Sequence, residues 1–264
     1  MMKLLPFLFT VLLTALIDGQ SMRFVYEVQY KTSTDEQAPQ RKENMFLDVV
    51  DGQSKFRSEN MLKRDSLIAR MRQTRTFNRE LLQGARTPFQ FEIDKNYKTG
   101  AVLHQERIGR DFYQYKEDRP VEWLIHQETE KVGDYLAQKA TASFAGREWT
   151  AWFTMDIPIP DGPYKFSNLP GLIVKMIETQ GMYSFQLKES TKLPSAYNNP
   201  TVGSSIKVSR EQFEAQKTRF QNDPSAFTGA MGARRQGGAN PPRPNASRTG
   251  MQSVPIVNHI EVRK

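Results

Sequence analysis

The acidic side chains best suited to acid–base chemistry lie in one stretch of the sequence, beside aromatic rings. These carboxylates are Glu148, Asp156 and Asp161, and their neighbours include Arg147, Trp149, Trp152 and Tyr164. Carboxylate pairs about 5 to 10 Å apart, beside aromatic platforms, hydrolyse glycosidic bonds in many enzymes. Glu148 and Asp156 are eight residues apart, which is about 26 Å along a strand. The spacing therefore favours a surface role for Glu148 and turn-forming roles for the two aspartates.

Other catalytic and metal chemistry has little support in the sequence. The three histidines are His104, His126 and His259, and no two of them have the i, i+2 or i, i+4 spacing of a metal site. There is no cysteine, which excludes thiol nucleophiles, thiolate ligands and disulfides. Serine-nucleophile elbows, phosphate-binding loops and dinucleotide fingerprints are also absent. We therefore expect no catalytic residue of these classes, no metal and no cofactor.

The N-terminus has the layout of a secretory signal peptide. Lys3 precedes the apolar run 4–17, which is 14 residues long and ends before Asp18-Gly19-Gln20. This run is shorter than the roughly 20 residues that span a bilayer. We expect a signal peptide over residues 1–19, no transmembrane span after its cleavage, and export to the periplasm or beyond. A lipoprotein is excluded because the chain has no cysteine.

The positive charge is concentrated near the C-terminus. The formal net charge is +8, and residues 226–253 contain Arg234, Arg235, Arg243 and Arg248 among repeated Gly, Pro, Ala and Asn. Such a composition predicts a disordered loop, because it offers little apolar surface to bury. It leaves the globular part only mildly basic, which argues against a nucleic-acid partner. Attachment of this loop to an anionic membrane surface is an open alternative.

Residues 156–174 combine four prolines and two glycines with large apolar side chains. Each proline fixes φ and removes a backbone donor, whereas Gly162 and Gly171 permit positive φ or close backbone approach. This composition predicts a rigid, packed crossover between two strands. Lys165 within it has two open interpretations, because it could extend toward water or pair with Asp161.

Alternating apolar and polar residues predict a sheet over most of the remaining chain. The predicted strands begin at Met22 and then cover 44–50, 54–58, 89–95, 101–108, 112–117, 131–141, 149–155, 172–177 and 183–188. Asp51-Gly52 favours a two-residue hairpin, and 172–177 is typical of a central strand covered on both faces. Helices are predicted over 61–72, with Asn60 as N-cap, and over 210–222, behind a capping box at Ser209 and Gln212.

The crossover contains the motifs Asp161-Gly-Pro-Tyr-Lys-Phe166 and Asn168-Leu-Pro-Gly-Leu-Ile173, and Gly146-Arg-Glu-Trp-Thr-Ala-Trp152 precedes it. Together these motifs resemble the signature of the GLPGLI family of Bacteroidetes secreted proteins. Asn168 replaces the first glycine of the signature, and asparagine tolerates left-handed backbone well. Members of this family are similar to bowl-shaped β domains such as the non-catalytic N-terminal domain of one class of peptide N-glycosidase. The family has no established activity, so the resemblance implies a fold and no catalytic residue.

We therefore predict a mainly β fold, a curved antiparallel meander forming an open half-barrel or bowl-like sheet, with two short helices. One domain would cover residues 20–225, and residues 254–264 would return after the loop as its closing strand. We assign an architectural role to the family motif, which comprises Asp161, Gly162, Pro163, Tyr164, Lys165, Phe166, Leu169, Pro170, Gly171, Leu172 and Ile173.

The functional prediction is a non-catalytic binding, carrier or scaffold module with an apolar cleft. Trp149, Trp152 and Phe153 are the candidate cleft aromatics, although burial in the core is the commoner fate of such residues. The partner would be an apolar ligand or another protein. The alternative is a carboxylate-based hydrolase of glycans or peptides, or an accessory domain to one.

Overall fold

The computed structural model describes residues 21–35, 37–194, 204–227 and 260–261. The predicted signal peptide and the predicted loop from residue 228 onward lie outside the described residues. So does most of the predicted closing strand over 254–264. Its described residues, Ile260 and Glu261, form a bend. Within the described ranges, none of the helices combines the length and apolarity that a membrane crossing requires.

Twelve strands of the described chain form one sheet. They are β1 (Met22–Lys31), β2 (Gln40–Val50), β3 (Gln53–Ser58), β4 (Phe91–Asn96), β5 (Ala101–Ile108), β6 (Asp111–Lys116), β7 (Leu124–Val132), β8 (Tyr135–Phe144), β9 (Arg147–Thr154), β10 (Leu172–Glu178), β11 (Tyr183–Lys192) and β12 (Ile206–Lys207). Their order across the sheet is β12-β6-β5-β4-β3-β2-β1-β11-β10-β9-β8-β7. Two antiparallel meanders, β1–β6 and β7–β11, are therefore joined by the β1–β11 pair, and β12 adds a short parallel edge. The predicted open, mainly β architecture is confirmed.

A short connection shows that the sheet is strongly curved. In the sheet order, β6 and β7 are ten strand spacings apart, which would be about 48 Å in a flat sheet. The connection between them, residues 117–123, is seven residues long and can extend over at most about 29 Å. The two edges must therefore turn toward each other, and the sheet forms a bowl that the connection crosses.

The crossover fills the inside of this bowl. Tyr164 packs its ring against Phe91 on β4, with centroids 5.2 Å apart, whereas Phe166 packs against Trp149 on β9 at 5.0 Å. All four residues belong to one buried cluster. The crossover therefore connects the two meanders through the core.

Three helices accompany the sheet in the described chain, α1 (Glu59–Thr74), α2 (Arg79–Gly84) and α3 (Arg210–Asn222). The two predicted helices are confirmed, and α3 has the predicted capping box between Ser209 and Gln212. The N-cap of α1 is Ser58, whose hydroxyl accepts from the Met61 amide, so the prediction of Asn60 was wrong. The six residues of α2 were not predicted, because they are too few to show a helical period.

Residues with positive φ account for two of the turns between strands. Asp51 and Gly52 have φ of 49° and 73°, as their predicted hairpin requires. The strand predicted over 131–141 was wrong in its extent, since a two-residue turn at Gly133, with φ of 60°, divides it between β7 and β8. The central strand β10 is buried on both faces, as predicted.

Candidate functional site

A cleft of about 840 Å³ opens inside the bowl. On one side lie β5, β6 and α3, and on the other lies the turn 144–147 between β8 and β9. Aromatic rings form much of its wall, including Phe89, Phe91, Tyr115, Tyr164, Tyr183 and Phe213. This volume and this mixture of rings and polar groups are typical of small-ligand sites.

His104 is the central polar residue of one wall. Its ring stacks on Tyr115 with centroids 4.9 Å apart and meets the ring of Phe213 edge-on at 5.2 Å. Its Nε2 lies 3.1 Å from a Glu106 carboxylate oxygen, which also accepts from Lys217 Nζ at 2.8 Å. The helix α3 thus supplies both a ring and a cation to the wall that β5 and β6 form.

Electrostatics fix the protonation states of this wall. Burial lowers the pKa of His104, so the imidazole is neutral at neutral pH. Burial alone would raise the pKa of Glu106, but Lys217 and His104 outweigh it and hold that pKa at about 2. His104 Nε2–H therefore donates to the carboxylate. No hydrogen-bond partner for its Nδ1 exists in the part of the chain that the structure describes.

A second polar group, the Lys165 cluster, is formed by Lys165, Glu117, Arg119, Tyr164 and Glu261. Lys165 Nζ donates to Glu117 at 2.6 Å, to the hydroxyl of Tyr115 at 2.7 Å and to Glu261. Arg119 donates to both Glu117 oxygens and, at 2.8 Å, to Glu261. Tyr164 OH donates at 2.5 Å to the Glu261 oxygen that Lys165 also contacts, and Arg119 contacts the second oxygen. The cluster balances two cations against two carboxylates.

The pKa values of this cluster follow from its pairing. Burial opposes ionisation of Glu117, yet Arg119 and Lys165 lower its pKa to about 2. The pKa of Glu261 is also lowered, because Lys165, Arg119 and Tyr164 outweigh its burial. Burial and the nearby carboxylates raise the pKa of Tyr164. Glu117 and Glu261 are therefore ionised at neutral pH, whereas Tyr164 remains an uncharged donor.

Asp161 belongs to a separate, closed group, the Asp161 cluster. Its carboxylate pairs with Lys95 and accepts from Ser54 Oγ, from Tyr97 OH at 2.6 Å and from the Gly162 amide at 2.7 Å. Lys95 also donates to the crossover carbonyls of Gly162 and Phe166. Lys95, rather than Lys165, is therefore the partner of Asp161. Lys165 follows neither of its two open interpretations, because its side chain is 0% exposed and pairs with Glu117 and Glu261.

The remaining motif residues shape the crossover and begin β10. Gly171 has φ of 155°, and a Cβ there would lie 2.1 Å from the Thr154 carbonyl oxygen. A Cβ at Gly162 would lie 2.7 Å from the Ile173 side chain. Asn168 has φ of 72°, the left-handed backbone that its replacement of glycine allows. Pro163, Leu169, Leu172 and Ile173 are buried, whereas Pro170 is exposed.

The structure does not bring the predicted carboxylates together. Glu148, which lines the cleft rim, accepts from Ser143 Oγ at 2.5 and 2.7 Å. Asp156 is exposed in the turn after β9, at the opposite end of that strand. Asp161 is enclosed and saturated with donors, so no acid–base pair forms from these three.

The candidate cleft aromatics lie elsewhere. Trp149 and Phe153 are each 1% exposed within the core. Trp152 is partly buried in a smaller cluster with Val132, Ala137 and Val174. None of the three lines the cleft.

The cleft residues that the sequence interpretation missed left one visible signal. On β5, the i, i+2 spacing places His104, Glu106 and Ile108 on one face, so two polar residues occupy positions where an inward face is normally apolar. Nothing in the sequence indicates that Lys165 would meet Glu117 and Glu261. Among the described residues, no group of three or more His, Asp or Glu is arranged to hold a metal ion.

Comparison with known proteins places the fold more firmly than the function. Residues 145–175 match a family described as "Protein of unknown function (Porph_ging)". No curated protein matches the sequence. The chain is similar to PNGF-II in two crystal forms, P21 and C2, with TM-scores of 0.56 and 0.54, 12% identity and 76% of this chain covered. It spans about a third of the PNGF-II chain, with 33% covered in both cases.

Proposed function

We propose that the chain is a non-catalytic binding module that holds a partly apolar ligand in the cleft. One observation carries this proposal. The cleft has the size of a small-ligand site and is lined by aromatic rings, and the carboxylates in and beside it are paired with cations. A general acid or base working near neutral pH needs a pKa close to 7. Glu106 and Glu117 instead have pKa values near 2, and His104 is held neutral. These fixed groups suit recognition better than proton transfer.

The proposal includes export and a place in the GLPGLI family. The signal-peptide pattern of residues 1–19 and the motif of the crossover support these two points. The match of residues 145–175 to a family of unknown function is consistent with them, and it adds no activity. The proposed domain unit is residues 20–225 with 254–264.

A second candidate is an accessory domain to an enzyme. The fold likeness to a third of the PNGF-II chain favours it, because a domain of this shape forms part of a larger protein there. The hydrolase alternative within this chain has weaker support, since Glu148, Asp156 and Asp161 do not converge.

Native mass spectrometry of the full chain, purified from the organism that produces it, tests the binding proposal. Ser143→Trp places an indole at the exposed cleft rim, and Ser190→Trp on β11 is the matched control, exposed and away from the cleft. We expect a non-covalent ligand mass on the wild type and on Ser190→Trp but not on Ser143→Trp. Equal ligand occupancy in both variants, or no ligand in any sample, would count against the proposal.

A further inference from the structure

The pair Ile260-Glu261 enters the cleft from a separate part of the chain. Ile260 is 8% exposed within the main core cluster, and Glu261 lines the cleft. Their nearest described neighbour in sequence is Phe227, because residues 228–259 are outside the described ranges. In the described structure, side-chain contacts with residues far away in the sequence hold this pair in place.

Both oxygens of the Glu261 carboxylate are recognised. One oxygen accepts from Lys165 Nζ and Tyr164 OH, and the other accepts from Arg119 Nη2. These charge-assisted bonds are stronger and more directional than neutral ones. Lys165, Arg119 and Tyr164 together form what we call the carboxylate receptor.

Charge makes the receptor selective. Without Glu261, the two cations Lys165 and Arg119 would face only Glu117, and the Lys165 side chain is 0% exposed. A buried cation without full compensation is costly, so the receptor favours an occupant that carries a negative charge. A neutral amide could accept hydrogen bonds there but would leave the excess charge unbalanced.

The receptor continues into an apolar position. Ile260 packs in the same core cluster as Tyr164, directly before the recognised carboxylate. The cleft thus contacts two adjacent side chains, an aliphatic one and an acidic one. This arrangement is typical of peptide recognition, where a pocket and a charge site select neighbouring residues.

We propose that the carboxylate receptor is a peptide-binding subsite for an aliphatic residue followed by an acidic one, and that Ile260-Glu261 occupies it in cis. This inference rests on the proposed binding function and names its ligand class as an acidic peptide segment of a partner protein. The cis occupant competes with such a partner at the high effective concentration of a covalently linked segment.

Fluorescence polarisation with a labelled peptide of the sequence 254–264 tests this inference. The receptor is emptied in the full chain by the double substitution Ile260→Ala/Glu261→Ala. We expect this variant to bind the peptide at least about tenfold more tightly than the wild type does. A peptide carrying Gln in place of Glu should bind at least about tenfold more weakly, since it lacks the charge.

Arg119→Gln in the emptied variant is the receptor control. Arg119 is 29% exposed, so its loss is easier to accommodate than that of enclosed Lys165, and circular dichroism checks the fold. We expect this change to weaken peptide binding at least about tenfold. Equal binding of the Glu and Gln peptides, or equal binding by wild type and emptied variant, would overturn the inference. A cleft ligand detected by the Ser143→Trp experiment would then leave the broader binding proposal intact.

Discussion

The Asp161 cluster and the Lys165 cluster anchor the same crossover but differ in how they are enclosed. The side chains of Asp161 and Lys95 are 0% and 2% exposed, and the carboxylate contacts named above come from the crossover, from β3 and β4 and from Tyr97 directly after β4. In the Lys165 cluster, Glu261 is 18% exposed and comes from a separate part of the chain. Burial of an ion pair therefore does not by itself mark a functional site. An opening to a cleft and a carboxylate from a separate part of the chain distinguish the second cluster.

The largest effect should come from breaking the closed cluster. Asp161→Ala leaves Lys95 buried without its carboxylate, and we expect a loss of about 3–5 kcal/mol in the free energy of unfolding. Urea denaturation at pH 7 measures this loss. The matched control is Asp156→Ala in the exposed turn, which should change the free energy by about 0.5 kcal/mol or less. Equal losses in the two variants would contradict a structural role for Asp161.

The next effect concerns the crossover that carries both clusters. Gly171→Ala places a Cβ against the Thr154 carbonyl oxygen, so we expect a loss of about 2–4 kcal/mol of stability. Gly181→Ala is the control, because Gly181 also has positive φ but has no atom within 4 Å of an added Cβ. Gly181→Ala should lower the free energy of unfolding by about 1 kcal/mol. Pro170→Ala, at an exposed site, should cost about 0.5–1 kcal/mol. Thermal melts compare the three variants. The prediction would be refuted if Gly171→Ala lowered the melting temperature least of the three.

Acid should weaken the open cluster through Glu117. Its pKa is lowered to about 2 from an ordinary value of 4.5, so its stabilisation is fully present above pH 4.5 and is lost as the pH falls toward 2. In Glu117→Gln, unfolding over this range should take up about one proton fewer. Urea denaturation at a series of pH values measures the slope. An unchanged slope would show that Glu117 is not held ionised by Lys165 and Arg119.

A smaller pH effect should arise at His104. Its pKa lies below 6.5 because burial disfavours the imidazolium, so the unfolded chain binds the proton more readily. The associated stability is present above pH 6.5 and is lost as the pH falls through the lowered pKa, by up to about 1.4 kcal/mol per pH unit. His104→Gln should remove this dependence of the free energy of unfolding on pH, which urea denaturation at a series of pH values measures. His126→Gln is the control for loss of a histidine. The slope would persist in His104→Gln if another group caused it.

Local features of the fold could be predicted from the sequence. Alternation located most strands, Asp51-Gly52 fixed a hairpin, and Ser209 with Gln212 defined the start of α3. These features depend on residues close together in the chain. The divided strand at Gly133 was missed because one glycine interrupted an otherwise continuous strand pattern.

The site could not be predicted in the same way. Its contacts join residues far apart in sequence, such as Lys165 with Glu117 and Lys217 with Glu106, which only the curvature of the sheet brings together. The sequence interpretation concentrated on Trp149 and Asp161, which are conspicuous side chains that the core encloses. Polar residues on the inward face of β5 were the better indicator.

The most direct test measures both clusters in the same two assays. Asp161→Ala and the emptied variant Ile260→Ala/Glu261→Ala are compared in the full chain for their free energy of unfolding and for their affinity for the 254–264 peptide. We predict that both variants lose stability, because each removes a carboxylate from a buried lysine, but that only the emptied variant gains at least about tenfold in peptide affinity, whereas Asp161→Ala keeps the wild-type affinity. Unchanged peptide affinity in the emptied variant, or a gain in Asp161→Ala, would contradict the distinction between a closed structural cluster and an open receptor.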